Sequence, residues 1–499
     1  MSDSAVSFGA LVRQYISDHS LSYQDFAAAM GFRSKTSISR IIQDETSYEL
    51  RAQFFARLSE QYPLSVQEEL AFRNALRISR LSQQDRTFFR CFSDVLQADY
   101  ALDLHTDIAY LPAGQQEPLS LSGLLAVRAD ACSLITVSLF GLPGAPFITA
   151  LYTLLRQSGL PFEIRHYVFC SGDILPQLRS VTDSAPFLFD QRYNVYSCRA
   201  KAGQATPDNH LILHYAMQDG SSSEDVFLLR GQEPMLYSGP ISSSFTELYR
   251  CFFLPAQEIV PALKTRYAQE SLLDQFNAYF SMQEAMTDLE EDCALYCLRS
   301  GIGEEFIPPE IFHNAVQPVD LAAQDAKKVL ANLLRIHKKR HQHLLSQKKP
   351  LHYLFSQSDF QHFVWTGRFA GQPPFMRSLT PRERYDTLTL LIAQIQQNPY
   401  FSVRFANADL PAVCDHLTLT GYHHTHYASS HQARCAGGLL IQPGPKSCAQ
   451  TACVMLSDEA LASAFSLFFR EELNVRYVEP VRATLRFLYN MLEYLQSRL

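Results

Sequence analysis

The first hundred residues alternate apolar and polar side chains with the period of an α-helix. On the first expected helix, apolar residues recur at spacings of three and four: Phe8, Leu11, Val12, Tyr15 and Ile16. Further helices are expected at "YQDFAAAMG", "KTSISRII" and "SYELRAQFFARLSEQY", and then near 66–78 and 82–98. Ser22 and Ser34 are placed to cap the second and third helices, and Gly31 marks the end of the second.

The pattern changes after residue 100. "SLITVSLFG" is a short β-rich run, and it is followed by a helical "APFITALYTLLRQSG" and a second strand, "PFEIRHYVF". Strand, helix and strand within about 35 residues predict a βαβ unit with a parallel sheet. More strands are expected at "HLILHYAM", "DVFLLRG" and "PMLYSG", and a long helical stretch over 255–300 is expected to close this region.

The second half repeats this texture. A basic amphipathic helix over 321–349 precedes strands at "LHYLFS", "YFSVRFA", "HLTLTG", "GGLLIQ" and "ACVML". Helices are expected at "TPRERYDTLTLLIAQIQQ" and in the long C-terminal "YVEPVRATLRFLYNMLEYLQSRL". Because the same order of strands and helices occurs over about 120–250 and 350–470, the pattern suggests two related α/β modules.

Composition limits the class of protein. A chain of 499 residues is too long for one ordinary core, and its net charge of -7 argues against non-specific coating of nucleic acid. No apolar run is long enough to span a membrane, and the N-terminus lacks the pattern of a secretory signal, so a cytoplasmic protein is expected. The 11 cysteines form no CxxC pair and are expected to be buried thiols.

The segment "LSYQDFAAAMGFRSKTSISRII" has the internal logic of a helix-turn-helix. Phe26, Ala27 and Met30 supply the inner face of its first helix, and Ile38 and Ile41 anchor its second. Short polar and cationic side chains then remain outside: Lys35, Thr36, Ser37, Ser39 and Arg40. Such a helix offers backbone N–H groups to phosphate and polar side chains to base edges.

This segment resembles the phage-repressor-like (XRE) helix-turn-helix family of transcriptional regulators, and the resemblance covers about residues 7–62. The matching residues are Leu21, Ser22, Phe26, Ala27, Met30, Gly31, Phe32, Ser37, Ile38, Ser39, Arg40 and Ile41. The resemblance implies a five-helix DNA-binding domain. The turn is one residue longer than the commonest form, and "IIQDET" replaces the "E-N-G" that often ends the recognition helix.

The resemblance also implies roles for individual positions. The base-reading places correspond to Lys35, Thr36 and Arg40, with Ser39 as a further candidate. Tyr23 corresponds to a backbone-phosphate position, with Arg33 and Ser34 in the turn beside it.

Charge within the N-terminal region is nearly balanced. Residues 1–60 contain six Lys or Arg (Arg13, Arg33, Lys35, Arg40, Arg51, Arg57) against seven acids. The attraction of this region for phosphate is therefore modest, and a homodimer presenting two recognition helices is the expected remedy. The alternative is an amphipathic helix pair that docks a partner protein.

Sequence motifs for catalysis are absent from the chain. There is no GxxxxGK[ST] loop, dinucleotide fingerprint, GxSxG elbow, HExxH helix or kinase signature, so neither an enzyme nor a cofactor is expected. Residues 414–435 concentrate groups that could ligate a metal: Cys414, His416, His423, His424, His426, His431 and Cys435. Their spacing matches no specific metal template, and a solvated polar hairpin is the favoured interpretation, so no metal site is predicted.

The predicted architecture has four parts. Residues 1–62 form the helix-turn-helix domain, 63–99 a helical connector, 100–320 an α/β sensor module, and 321–499 a second α/β (or α+β) module. The basic helix in 321–349 is either a solvated face or a second surface for nucleic acid or acidic membrane.

The expected function is regulation of transcription by a cytoplasmic homodimer that binds double-stranded DNA and an unidentified small-molecule or peptide effector. Two alternatives remain open: an assembly protein that binds a partner chain, and an enzyme with an attached DNA-binding domain.

Overall fold

The structure is a computed structural model of the chain. It describes residues 7–32, 34–43, 45–98, 100, 107–112, 115–129, 131–170, 173–199, 209–230, 235–238, 257–258, 284, 286–287, 290–291, 293–316, 323–346, 348–369, 372, 376–407, 410, 413–424, 437–444 and 453–499. The chain divides into two compact units, residues 1–91 and residues 92–499.

The first unit is helical, as the apolar pattern predicts. Its helices are α1 Phe8–Asp18, α2 Tyr23–Ala29, α3 Lys35–Ile42, α4 Tyr48–Gln61, α5 Val66–Ile78 and α6 Gln83–Gln97, and the last of these runs across the boundary between the units. Serine hydroxyls cap five helix N-termini by accepting a backbone N–H: Ser7, Ser22, Ser47, Ser65 and Ser82. A single aromatic-rich core includes Phe8, Phe26, Phe54 and Phe72.

The second unit contains two mixed sheets. The strands of the first are β1 Ala109–Leu111, β2 Leu119–Ser120, β3 Cys132–Phe140, β4 Phe162–Cys170, β5 Tyr193–Arg199, β6 His210–Met217, β7 Ser222–Arg230, β8 Met235–Ser238 and β9 Gln257–Glu258. Its order is β2-β1-β8-β7-β6-β3-β4-β5-β9. The strands β3, β4 and β5 are parallel neighbours, so the predicted βαβ unit is confirmed.

The first sheet packs its apolar residues against helices. The helical elements of this module are α7 Leu121–Ala129, α8 Ala145–Gln157, α9 Leu175–Asp183 and a 3-10 turn, Ala185–Phe187. Every residue from Phe147 to Leu155 of α8 is buried. The alternate residues Ile135, Val137 and Leu139 of β3 enter the same core, because side chains on one face of a strand recur with a period of two.

The second sheet has six strands in the order β12-β11-β10-β13-β14-β15. They are β10 Ala294–Arg299, β11 Leu351–Phe355, β12 Phe401–Phe405, β13 Leu417–His423, β14 Gly438–Pro443 and β15 Val454–Ser457. The helices, numbered in chain order among the described residues, are α10 Pro309–Ala315, α11 Ala323–Ser346, α12 Gln357–Thr366, α13 Pro381–Gln397, α14 Val413–His416, α15 Glu459–Phe468, α16 Asn474–Arg476 and α17 Val481–Gln496. A 3-10 turn, Glu304–Phe306, and a π-turn, Phe469–Leu473, complete this module.

The two sheets share one topology. Each sheet contains three neighbouring parallel strands which, read towards the middle of the sheet, follow reverse chain order: β5-β4-β3 and β12-β11-β10. An antiparallel meander then continues from the first strand of each set, as β6-β7-β8 and β13-β14-β15. We refer to these as the first and second modules. The suggestion of two related modules is thus supported by strand order and direction.

One predicted element was partly wrong. The stretch expected to be helical over 255–300 is helical at residues 284, 286–287 and 290–291, and the other residues between 259 and 292 lie outside the described part of the chain. The same stretch contains the short strand Gln257–Glu258 and the strand Ala294–Arg299, which pairs in parallel with β11 and antiparallel with β13 in the second sheet. Its first five residues are all buried, so "ALYCLR" shows no alternation of apolar and polar positions. A short apolar run of this kind cannot be assigned to helix or strand from periodicity alone.

Two further expectations concern the whole chain. Among the described residues, no helix is both long enough and apolar enough to cross a membrane. The eight cysteines among the described residues form no disulfide and all are buried, which agrees with their expected role as small apolar residues.

Candidate nucleic-acid interface

The helix α3 separates its apolar and polar residues onto two faces. Ile38 and Ile41 are completely buried, and Ile42 is nearly so. The side chains of Lys35, Thr36 and Arg40 are exposed. Ser39 is half-buried, and its hydroxyl donates to the backbone carbonyl of Lys35 at 3.2 Å, which leaves the hydroxyl oxygen able to accept. The structure therefore brings all four predicted base-reading residues onto one short helix.

The turn before α3 ends the preceding helix in a defined way. Gly31 has φ +74°, a left-handed conformation that glycine adopts without a Cβ penalty. The N–H of Phe32 donates to the carbonyl of Ala27 at 2.8 Å, and that of Gly31 donates to Ala28 at 3.0 Å. These two bonds form a Schellman motif, which fixes the direction in which the chain leaves α2.

A long-range contact holds the same turn. The guanidinium of Arg57, on α4, donates to the backbone carbonyl of Met30 at 2.7 Å. A Cβ added to Gly31 would lie 2.5 Å from this guanidinium, which would have to shift, but the firmer requirement for glycine is the left-handed backbone conformation. Met30 itself is completely buried. Arg57, although exposed, thus positions the turn through this bond.

A second glycine sets the position of α3 against α1. A Cβ at Gly9 would lie 2.3 Å from the carbonyl oxygen of Ile42 and 2.6 Å from that of Ile41. Backbone atoms cannot move aside as a flexible side chain can, so only glycine allows this approach. The C-terminal end of α3 is therefore held directly against the backbone of α1.

The start of α3 presents backbone N–H groups that a side chain does not cap, and such groups are suited to binding anions. Ser34 occupies the N-cap position with extended backbone (φ -151°, ψ 152°), but its side chain makes no capping hydrogen bond. The cap position predicted for Ser34 is therefore correct, while the predicted side-chain bond is not formed. Tyr23 is 41% exposed at the first position of α2. Arg33 lies outside the described residues.

The cations of this unit are fewer than the sequence count suggests. Arg51 is buried, and its guanidinium donates to the backbone carbonyl of Thr46 at 2.7 Å. The exposed cations among the described residues 7–60 are Arg13, Lys35, Arg40 and Arg57, and the last of these is hydrogen-bonded to the backbone. Two of these four lie on α3.

Gly9 and Arg57 are the positioning residues that the sequence analysis missed. Gly9 breaks the helical pattern of α1, and a glycine inside a helix that is otherwise apolar-periodic is a signal of close packing. Arg57 had no comparable signal, because its partner lies 27 residues away along the chain.

The cysteine and histidine cluster of 414–435 is divided by a strand. Cys414 is buried, and burial raises the pKa of its thiol far above the ordinary value. The ring of His416 stacks on Tyr100 with centroids 4.6 Å apart, whereas His424 lies 3.7 Å from the sulfur of Cys293. Between them the seven residues of β13 extend roughly 20 Å.

No metal site is found in the described part of this cluster. The residues His426, His431 and Cys435 lie outside the part of the chain that the structure describes. Within that part, no group of three or more His, Cys, Asp or Glu side chains could hold a metal ion.

Comparison with known proteins identifies no family. No protein-family model matches the chain, and no curated protein matches it. Among solved structures, the polyphosphate kinase from Porphyromonas gingivalis is similar at 12% identity with a TM-score of 0.19. The match covers 75% of this chain and 53% of the kinase chain, so this chain spans about half the length of that kinase. At such a TM-score the similarity carries no argument about fold or activity.

Proposed function

We propose that the protein is a transcriptional regulator that binds double-stranded DNA sequence-specifically through α2 and α3, arranged as a phage-repressor-like helix-turn-helix. The observation that carries this proposal is the division of α3 into a buried isoleucine face and an exposed face with Lys35, Thr36 and Arg40. A short polar helix held rigidly at both ends is the element that reads the major groove in this class of protein.

Each exposed group has a distinct part in the proposed complex. Lys35 and Arg40 donate to base edges, guanine O6 and N7 being the commonest acceptors for these side chains. Thr36 and Ser39 offer hydroxyls that donate or accept. The uncapped N-terminus of α3 beside Ser34, together with Tyr23 at the start of α2, contacts the phosphate backbone.

The second unit has the proposed role of sensing and dimerisation. The two exposed cations of one α3 give a weak electrostatic contribution, and two copies on two half-sites multiply it. We infer a homodimer, acting in the cytoplasm, in which an effector bound to the second unit changes the geometry of the two DNA-binding units.

The test is a DNA-binding assay at defined salt. Genomic fragments captured by the intact protein supply the binding site, and an electrophoretic shift then measures the affinity of each variant. Lys35→Ala and Arg40→Ala should each weaken binding by about 1–3 kcal/mol and relax the preference at one base position.

Arg13→Ala is the matched control, because it removes an exposed cation of the same unit that lies outside α2 and α3. It should alter the affinity less than either α3 variant, and it should leave base preference unchanged. Equal affinity of wild type and the Lys35→Ala/Arg40→Ala variant would exclude this proposal. That result would favour the docking of a partner protein on the same face.

A further inference from the structure

The helix α11, Ala323–Ser346, presents its cations on one side. Among its side chains that the structure describes, the exposed charged ones are Lys327, Lys328, Arg335, Lys338 and Lys339, and the exposed Lys348 follows the helix. At 3.6 residues per turn, the five helical cations fall within about 120° of arc along a helix about 36 Å long. The sequence from Lys327 to Lys349 contains no Asp or Glu.

The opposite side of α11 is fixed to the second module, so this orientation is not free to change. Leu333, Ile336 and Leu344 are buried in the module. The guanidinium of Arg340 donates to Glu290 at 2.9 Å and to Glu304 at 3.1 Å.

Three histidines add to this attachment by donating to backbone carbonyls. His337 donates to the carbonyl of Ile307 at 2.9 Å, His341 to that of Glu305 at 2.9 Å, and His343 to that of Glu290 at 2.8 Å. The cationic side must therefore face outward.

The outward charge is only partly balanced within the protein. Lys339 pairs with Glu291 at 2.5 Å, and Arg335 lies 3.9 Å from Glu284, with both side chains of the latter pair more than half exposed. Lys327, Lys328 and Lys338 have no ion pair among the described residues. Arg335 lies three and four residues before Lys338 and Lys339, a spacing at which like charges on a helix repel each other, and a polyanion laid along the stripe relieves that repulsion.

We propose that the cationic side of α11 is a second DNA-contacting surface, which binds the phosphate backbone of duplex DNA without reading its sequence. This inference deepens the proposed DNA-binding function and rests on it. Duplex DNA is favoured over an acidic membrane because the apolar face of α11 is committed to the core. A helix that binds a lipid surface needs that face free to enter the bilayer interface.

The experiment measures the affinity of the full-length protein for a fluorescent duplex of about 40 base pairs with unrelated sequence, between about 50 and 200 mM salt. The variant is Lys327→Ala/Lys328→Ala/Lys338→Ala, which keeps good helix-forming residues at all three positions. The slope of log K against log salt should fall by up to about 3, and the affinity at the lower salt by about 10- to 100-fold.

Two matched variants separate charge from structure. Asn332→Ala/Gln342→Ala/Ser346→Ala changes three exposed, uncharged positions of the same helix and should keep the wild-type slope. Lys327→Arg/Lys328→Arg/Lys338→Arg keeps the charge and should also keep it. Thermal unfolding of each variant checks that α11 remains attached to the module.

Two results would overturn the inference. One is an unchanged slope for the triple alanine variant when its melting temperature matches that of wild type. The other is wild-type binding to phosphatidylserine/phosphatidylcholine vesicles without binding to the unrelated duplex. A failure of the proposed function appears separately, as unchanged affinity of the Lys35→Ala/Arg40→Ala variant for the genomic site.

Discussion

The two modules of the second unit have the same strand order and very different interiors. In the first module, the buried polar residues among those described are uncharged, and the core is built from β3 to β7 and α8 with aliphatic and aromatic side chains. In the second module, Arg340, Glu290, Glu304 and Glu305 are all buried, and Arg299 pairs with Glu305 at 2.6 Å. A common topology therefore does not require a common way of filling the core.

In the first module, a buried histidine is accommodated by neutral hydrogen bonds. The N–H at Nε2 of His166 donates to the carbonyl of Gly141 at 2.7 Å, so Nδ1 is free to accept from the hydroxyl of Tyr193, also at 2.7 Å. Burial lowers the pKa of His166 to about 4, which keeps the ring neutral. Each polar atom of the ring then has one partner of the right kind.

The second module instead joins distant segments by charge. Arg340 meets Glu290 across 50 residues of chain and Glu304 across 36. Removing one member of a buried ion pair leaves its partner charged in a medium of low dielectric, whereas removing a neutral group leaves only a lost hydrogen bond. The comparison therefore predicts that single substitutions of buried polar residues lower the free energy of unfolding more in the second module than in the first.

The largest expected effect comes from Arg340→Met. The two buried carboxylates lose their cation, so the free energy of unfolding of the second module should fall by about 3–5 kcal/mol in urea titrations followed by hydrogen exchange. Arg335→Met, at an exposed cation of the same helix, should cost less than about 1 kcal/mol. Adding Glu290→Gln and Glu304→Gln to Arg340→Met should recover part of the loss, and no recovery would contradict the electrostatic explanation.

The next largest effect is expected from acidification, which should destabilise the second module more than the first. Burial lowers the pKa of His337 to about 3 and that of His352 to about 4, so the unfolded chain takes up protons on these rings before the folded chain does. Their contribution to stability is therefore lost as pH falls from the unfolded value near 6.5 towards these folded values. His337 alone should cost the second module about 2 kcal/mol at about pH 5.

The first module is expected to resist the same change. His166 loses its contribution to stability on acidification as His337 does, but the partial burial of Asp183, with Asp94 nearby, raises the pKa of the Asp183 carboxyl to about 6. A raised carboxyl pKa favours the folded state as pH falls below 6, so the two effects largely cancel, to within about 1 kcal/mol at about pH 5. Hydrogen exchange of the β3 and β10 amides, compared between about pH 7 and about pH 5, measures the loss of stability of each module. Asp183→Asn should make the β3 amides acid-sensitive as well.

Replacing one buried tyrosine in each module should have the opposite result, with the first module losing more stability than the second. Tyr193→Phe removes the donor to the buried Nδ1 of His166, and it should destabilise the first module by about 1–3 kcal/mol. Tyr422 is also completely buried, but its hydroxyl has no hydrogen-bond partner within the described chain. Tyr422→Phe should therefore leave the melting temperature of the second module unchanged or higher, and a clear decrease would indicate an unrecognised partner.

The smallest effect is expected at a half-exposed ion pair in the first module. Arg165 and Glu163 lie 3.0 Å apart on β4 with side chains 40% and 30% exposed, so water screens their attraction. Arg165→Met should change the free energy of unfolding by less than about 1 kcal/mol. A loss as large as that of Arg340→Met would mean that burial is not what distinguishes the two pairs.

Much of the local structure followed from the sequence. Polar caps and apolar periodicity placed α1 to α6, and the capping by Ser22 and the left-handed Gly31 are both confirmed. The βαβ unit of the first module was predicted from the order of strand, helix and strand, and the parallel pairing of β3 with β4 confirms it. The strand Ala294–Arg299 was missed because burial on both faces removes the alternation that marks a strand.

The candidate interface was only partly predictable. The sequence placed Lys35, Thr36, Ser39 and Arg40 on one polar helix face, and the structure agrees. It gave no indication that Arg57 is bonded to the carbonyl of Met30, or that the hydroxyl of Ser34 makes no cap. Both depend on atoms whose positions follow from packing rather than from neighbouring letters.

The sequence by itself therefore determined most of the elements, because a helix or strand is largely selected by side chains within a few residues of one another. It also determined which side of α3 and of α11 is cationic. Only the tertiary structure decided the shared order of the two sheets and the pairing of Arg340 with Glu290 and Glu304. These depend on contacts between residues far apart in the chain, which periodicity does not encode.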